Sequence, residues 1–195
     1  MDLRKSFAVL LFVFAIAITG CNNGVIKATN ADDLPAVTPF VFTSPAFHNS
    51  DTIPILYTCD SSNFSPEMHW KNPNKNTAGY ALIMEDPDAP DGTWIHWIVY
   101  NIPPTDTMLA MHIPRDSVLP NGMKQGFTSF RAIGYGGPCP PEGPVHRYYF
   151  RLYALDTKLN VRAGLTKTQL SNLMQGHIQA ETDLQGKYGR KKKAQ

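Results

Sequence analysis

The 195-residue chain carries 18 lysine and arginine side chains against 16 aspartates and glutamates, a formal net charge of +2. This near balance argues against nucleic-acid binding, which typically requires a strongly basic face. The length suits one domain with a sizeable core, and the 16 prolines and 14 glycines indicate many turns.

The first twenty residues have the pattern of a bacterial lipoprotein signal peptide. Arg4 and Lys5 precede an apolar run, 6–19, that is too short to span a bilayer comfortably. The sequence Ile-Thr-Gly-Cys at 18–21 reads as a lipobox ending on Cys21, the residue that would be lipidated after cleavage. The alternative is an ordinary signal peptide in which Cys21 is incidental. We therefore expect a protein of the bacterial cell envelope, anchored to a membrane through its N-terminal lipid.

The segment that follows, 21–37, is interpreted as a flexible tether because it is polar and small and has no apolar periodicity. A first strand is the alternative. Asn22, rather than aspartate, comes after the cysteine, which in enteric-type sorting favours the outer membrane, facing the periplasm. The folded domain is expected over 38–190. A basic tail, 191–195, is interpreted as a solvated end, with contact to anionic lipids as the alternative.

Three segments of the expected domain have the composition of β-strands. Residues 79–84 form an apolar run that leads into Asp86, which predicts a buried central strand. Residues 97–102 are rich in strand-forming side chains and stop at a Pro-Pro pair. Residues 147–155 form a long aromatic segment of alternating character, so the domain is predicted to be mainly β.

One helix is predicted near the end of the chain. Thr166 is placed to cap it, and Leu170, Leu173 and Met174 share one face. Gly176 weakens the helical pattern, but we expect the helix to continue to about residue 184.

Two proline-rich segments carry most of the ionisable groups that could make a site. The first is Asp-Pro-Asp-Ala-Pro at 86–90, followed by Trp94 and His96; the second is 134–141, followed by His146 and Tyr148. Prolines restrict the backbone, so both segments are predicted to be stiff loops. His146 and Tyr148 lie two residues apart and therefore face the same side of a strand. Simpler alternatives are turn-capping aspartates and a core histidine at 96.

These motifs, together with others in the same order, resemble the phosphatidylethanolamine-binding protein family, which includes the Raf kinase inhibitor proteins. The further matching segments resemble the bacterial branch and lie at 42–47, 53–60, 65–70, 173–178 and 186–190. The resemblance spans about residues 38–190. It implies a phosphatidylethanolamine-binding-protein-like fold, with a central antiparallel sheet, a smaller second sheet and a C-terminal helix.

The resemblance also implies a pocket for a small anion such as phosphate or a phospholipid head group. Carried over residue by residue, its lining is expected to comprise Asp86, Asp88, Trp94 at the rim, His96, Pro140, Pro141, His146 and Tyr148. Protonated imidazoles and a phenol can donate hydrogen bonds to such an anion, while the carboxylates orient the histidines and the loop amides. Two aspartates and two histidines would suit zinc in principle, but their spacing matches no compact metal motif. No metal or other cofactor is therefore expected. Four further histidines, at 48, 69, 112 and 177, are interpreted as structural or surface residues.

A binding protein is the function that these features favour over an enzyme. No Gly-x-Ser-x-Gly motif is present, and no serine has an evident base beside it. The alternatives are a protease or kinase inhibitor that binds partners through the pocket loops, a hydrolase that uses the aspartate–histidine pocket, and a scaffold whose pocket is vestigial. The expected partners are a small anionic phospho-ligand and the membrane, with a homodimer implied by the resemblance.

The two cysteines left after lipidation, Cys59 and Cys139, could form a disulfide in an oxidising envelope. The bacterial branch commonly carries cysteine at both positions, so free thiols are the alternative.

Overall fold

A computed structural model describes residues 38–72 and 74–190. The predicted signal peptide, the lipidation site Cys21, the tether 21–37 and the basic tail 191–195 lie outside these described residues. Within them, no helix combines the length and the hydropathy needed to cross a membrane.

The described chain consists of eight strands, one α-helix and one short 3-10 helix, Ile55–Tyr57. In chain order the regular elements are β1 (Val41–Thr43), β2 (Met68–Lys71), β3 (Gly79–Asp86), β4 (Trp94–Ile102), β5 (Met108–Leu109), β6 (Lys124–Gln125), β7 (His146–Leu155), α1 (Lys167–Met174) and β8 (Ile178–Tyr188).

The strands form two antiparallel sheets. The larger has five strands in the order β6-β4-β3-β7-β8, and the smaller has three in the order β1-β2-β5. The mainly β prediction, with a central sheet, a smaller sheet and one helix near the C-terminus, is confirmed. The three strands predicted from composition correspond to β3, β4 and β7.

The central sheet is covered on both faces, which explains why β3 is apolar from Gly79 to Met84. Alternate side chains such as Leu82 and Met84 pack into the larger core, which the smaller sheet and residues 47–57 cover. The intervening Ala81 and Ile83 pack into a second core with Leu170 and its helix. Every residue of β3 is buried, so this strand holds the fold together from its centre.

The helix is shorter than the sequence predicted. Thr166 caps it as expected, since its hydroxyl accepts from the Gln169 amide while the Gln169 side chain accepts from the Thr166 amide. The helix ends at Met174, however, and the predicted continuation to 184 is wrong. Gly176 adopts a φ of +80°, which terminates the helix, and the next residues form the edge strand β8.

An ion-pair cluster ties the helix to the sheet beside the second core. The buried Glu85 carboxylate accepts a 2.8 Å hydrogen bond from Arg151 Nε and a further short bond from Lys167 Nζ. Burial by itself would raise the pKa of Glu85, but the bonds from Lys167 and Arg151 outweigh burial and hold that pKa below its ordinary value. This cluster links β3, β7 and α1.

Candidate functional site

Most of the predicted site residues meet where three neighbouring strands of the central sheet, β3, β4 and β7, begin or end. In an antiparallel sheet, the end of β3 lies beside the starts of its two neighbours, β4 and β7. Asp86, His96 and His146 therefore come together although they are up to 60 residues apart in the chain. They line a cavity of about 170 Å³, here called the histidine cavity. This volume suits a small group rather than a drug-sized ligand.

A β-bulge aims His96 into this cavity. Glu85 pairs with Ile95 and Met84 pairs with Trp97, which leaves His96 as the extra residue between them. Without the bulge, His96 would share a face with Ile98 in the second core, because side chains alternate along a strand. With the bulge, Ile95 takes that position and His96 faces the cavity.

The second loop fixes the His96 ring. Its Nδ1–H donates to the Gly136 carbonyl oxygen at 2.6 Å, and the Gly136 amide donates to the His96 carbonyl oxygen at 2.9 Å. Burial lowers the pKa of His96 and so favours its neutral form. Because Nδ1 donates its proton to the Gly136 carbonyl oxygen, Nε2 is the ring nitrogen left to form a hydrogen bond with a ligand.

His146 is held by a carboxylate instead of a carbonyl group. Its Nδ1 donates to Asp86 Oδ2 at 2.8 Å, and both side chains are almost fully buried. The other carboxylate oxygen, Asp86 Oδ1, accepts the Asp88 amide at 2.8 Å, which closes the proline-rich turn. Asp86 thus both caps the turn and orients the imidazole, and His146 Nε2 is left for a ligand.

Tyr148 supplies an unused donor at the base of the cavity. The residue is fully buried, and its hydroxyl has no hydrogen-bond partner among the described residues. Burial raises the pKa of Tyr148, and the nearby Asp86 charge adds to the shift. The hydroxyl therefore keeps its proton. An unpaired buried hydroxyl costs free energy, and a ligand oxygen would recover it.

Asp88 is the predicted ligand-binding residue that does not line the cavity. Its carboxylate faces outward and binds Arg147, with an Nη2–Oδ1 distance of 2.6 Å and an Nε–Oδ2 distance of 2.8 Å. These bonds lower the pKa of Asp88 to about 2. Its role is to fasten the first loop to the start of β7.

The other predicted residues, Trp94, Pro140 and Pro141, do line the cavity. Sequence reasoning missed five further lining residues: Ala89, Pro90, Asp91, Phe130 and Cys139. Ala89 and Pro90 belong to the first motif, and Asp91 directly follows it. Phe130 lies 34 residues after His96 and 16 residues before His146, and no pattern in the sequence links it to either histidine.

The wall formed by the second loop is anchored on its far side. Cys139, which lines the cavity, is joined to Cys59 in a disulfide with Cα atoms 5.4 Å apart. The Tyr135 hydroxyl donates to the Tyr57 carbonyl oxygen at 2.7 Å. Asn63 Oδ1 accepts the Gly137 amide at 2.7 Å. These contacts hold the loop over residues 57–63.

The four histidines interpreted as structural or surface residues are all exposed. Over the described ranges 38–72 and 74–190, no group of three or more histidine, cysteine, aspartate or glutamate side chains is arranged to hold a metal ion.

Fold and cavity together define a class: a domain of two antiparallel sheets with one polar pocket where its central strands meet. Residues 43–189 match the family model described as phosphatidylethanolamine-binding protein. The chain is 46% identical over 145 residues to a UPF0098 protein of Methanothermobacter thermautotrophicus, covering 74% of this chain and 95% of the relative. It is 38% identical over 188 residues to a UPF0098 protein of Pyrococcus abyssi, covering 95% and 99%. The chain belongs to the phosphatidylethanolamine-binding protein family.

Two solved structures are similar over the same region. A phosphatidylethanolamine-binding protein homologue from Chlamydia trachomatis gives a TM-score of 0.69 at 41% identity, covering 76% of this chain and 96% of that one. YbcL of Escherichia coli, described as a member of the mammalian family, gives 0.73 at 31% identity, covering 78% and 99%. The family resemblance noted from the motifs is thus confirmed.

Proposed function

We propose that this protein binds a small anion, a phosphate or the phosphate of a larger molecule, in the histidine cavity. The observation that carries the proposal concerns Tyr148, which lines the cavity and whose fully buried hydroxyl lacks a partner among the described residues. Two imidazoles accompany it, each with Nδ1 already engaged. The cavity therefore offers one fixed donor and two Nε2 atoms that become donors when protonated.

Charge balance favours coupling between anion binding and proton uptake. The Asp86 carboxylate lies against His146, and burial favours neutral His96. A bound anion favours the protonated imidazoles instead, because an imidazolium donates a hydrogen bond to the anion and balances its charge. Phosphate affinity is therefore expected to rise as the pH falls from 8 toward 6, the range in which histidines ordinarily titrate.

Binding is favoured over hydrolysis by what surrounds the aspartate–histidine pair. Neither imidazole is hydrogen-bonded to a serine, threonine or cysteine side chain among the described residues, and Cys139 is used in the disulfide. An activated water would be the remaining route to hydrolysis. Release of phosphate from p-nitrophenyl phosphate, abolished in His146→Ala, would support the hydrolase instead.

The test is an NMR titration of residues 22–195 with inorganic phosphate. That fragment contains residues 43–189, which match the family model, and every residue that the structure describes, so we expect it to fold. At about 10 mM phosphate, a site with a Kd of about 1 mM is roughly nine-tenths filled. Saturable shifts should be lost in His96→Ala and His146→Ala.

His177→Ala is the matched control, because His177 also pairs with a carboxylate, Asp156 Oδ1 at 2.8 Å, but on the exposed surface. It should leave the shifts unchanged. Absence of any shift in the unmodified fragment would refute anion binding and direct the search to partner-binding surfaces, as expected of an inhibitor.

Membrane attachment in the envelope is part of the same proposal. It is supported by the lipobox at 18–21 and by a disulfide, which is typical of oxidising compartments. Expression of the full chain in a bacterium with labelled palmitate should give labelled protein in the membrane fraction. Cys21→Ser should abolish the label, and label retained in that variant would refute lipidation at this residue.

A further inference from the structure

The histidine cavity is the first of three that adjoin one another. A second cavity, of about 290 Å³, shares Phe130 and Cys139 with it as common walls. A third, of about 270 Å³, shares Asn63, Arg115 and Tyr135 with the second. The three cavities therefore adjoin in a row that begins at the histidines and passes Phe130, and this row is here called the groove.

Arg115 is the positively charged residue in the part of the groove formed by the second and third cavities. It lines both the second and the third cavity, is exposed, and makes no ion pair or side-chain hydrogen bond with any described residue. Its side chain packs on Gly134, where a Cβ would lie 2.7 Å from the arginine Cγ and where φ is +90°. Glycine at 134 thus leaves the space in which the arginine lies along the groove.

The surroundings of Arg115 favour a negative group. No aspartate or glutamate is among the described residues that line the second and third cavities. His112, stacked on Phe64 with ring centroids 3.9 Å apart, lies in the third cavity, and Asn63 has its Oδ1 committed to Gly137 while its Nδ2 makes no bond to a described residue. Donors and positive charge therefore collect at this end of the groove.

Phe130 gives the middle of the groove an apolar surface. Its ring packs edge-on against Trp94 and His96, with centroids 5.4 Å and 5.3 Å away, and the residue is about two-fifths exposed. Gly136 makes this position available, since a Cβ there would lie 2.7 Å from the phenylalanine ring. An extended ligand that passes from one cavity to the next must cross this ring.

We propose that the groove takes ligands with two anionic groups joined by an apolar linker. One anion lies in the histidine cavity, the linker crosses Phe130, and the second anion, a carboxylate or phosphate, pairs with Arg115. This inference rests on the proposed anion binding at the histidines. It assigns Arg115 as the residue that selects such dianions over simple phosphate.

The experiment measures the affinity of residues 22–195 for linear alkane bisphosphates, from ethane to decane, each against the alkyl monophosphate of equal length. A linker too short to span the groove gives no gain, and a matching one gives the largest gain. We expect the bisphosphate advantage to be about tenfold at the matching length, the size of one charge-assisted pair at an accessible site.

The variant Arg115→Gln should remove that advantage and leave monophosphate affinity within about twofold, which also shows that the variant is folded. Arg162→Gln is the control, because Arg162 is an exposed arginine that lines none of the three cavities. Monophosphate binding without a bisphosphate advantage at any length, or an advantage that persists in Arg115→Gln, overturns the proposal. Failure of the unmodified protein to bind monophosphates overturns the underlying anion site as well.

Discussion

Breaking the disulfide between Cys59 and Cys139 should cost a large part of the stability of the fold. The bond closes a loop across a sequence separation of 80 residues, which corresponds to about 4.5 kcal/mol of unfolded-state entropy in the chain-entropy model. Engineered and natural bonds commonly deliver less than this figure, so we expect a measured loss of about 3 kcal/mol. Because Cys139 is exposed, a reductant can reach it without prior unfolding.

Urea unfolding of residues 22–195, with and without dithiothreitol, measures the effect. With a urea m-value of about 1.5–2 kcal/mol/M, a loss of about 3 kcal/mol lowers the midpoint by about 1.5–2 M. The double variant Cys59→Ser, Cys139→Ser should unfold at the lower midpoint whether or not reductant is present. The chain-entropy reasoning is refuted if reduction lowers the free energy of unfolding by less than about 0.5 kcal/mol.

The bond also has a predicted effect on the site. Cys139 precedes the two prolines that line the histidine cavity, and its partner lies in a segment that supports the same wall. Reduction should therefore weaken phosphate binding as well as stability, by about three- to tenfold, since a looser wall must be ordered on binding. Unchanged affinity in the reduced, folded protein would show that the remaining contacts suffice.

Three further predictions concern the site and its support. Stability should fall as the pH drops below about 6.5, because the unfolded chain then protonates His96 while burial keeps its pKa lower in the fold; His96→Gln should reduce this slope in urea titrations. Glu85→Gln should lower the free energy of unfolding by about 1 kcal/mol at pH 7, since it weakens pairs whose cationic partners are partly exposed, and the difference should shrink as the pH falls through about 4.5. Gly137→Ala should lower phosphate affinity about tenfold and destabilise the fold by about 2 kcal/mol, because its Cβ would lie 2.2 Å from the Tyr57 carbonyl oxygen.

Each of these has an outcome that contradicts it. An unchanged pH slope in His96→Gln would mean that the fold does not lower the pKa of this histidine. A Glu85→Gln variant as stable as the parent at pH 7 would mean that the ion pairs contribute nothing net. Normal phosphate binding by Gly137→Ala would show that the second loop can shift without loss of the cavity.

Much of the fold was predictable because local sequence and final structure agree. The apolar run of β3 and the aromatic alternation of β7 leave little choice of structure, and the Thr166 cap is a local contact between residues three apart. The helix end was mispredicted because one apolar face appeared to continue past Gly176. The positive φ of that glycine terminates the helix, and pairing with β7 then makes the following residues a strand.

The site could be predicted in composition but not in arrangement. The two-residue spacing of His146 and Tyr148 was enough to put both on one side of a strand. The direction of His96 depends on a bulge defined by its pairing with β3, which is not visible in β4 alone. Asp88 looks equivalent to Asp86 in the motif, yet Arg147 draws it outward. Phe130 reaches the cavity through tertiary packing, for which one sequence carries no signal.

The final strand, β8, contributes no side chain to the histidine cavity, but it pairs with β7, which carries His146 and Tyr148. Tyr188 pairs with His146 across the sheet, and the Arg190 backbone, just beyond the strand, bridges to Glu142 directly after the second loop. Asp60 accepts a hydrogen bond from the Tyr188 hydroxyl and forms an ion pair with Arg190. A ribosome that has synthesised the chain only through β7 has already made every predicted ligand-binding residue, but the support for the pocket is still missing. If the pocket binds the proposed anion, chains truncated before β8 should therefore show no phosphate binding, although they contain every predicted ligand-binding residue.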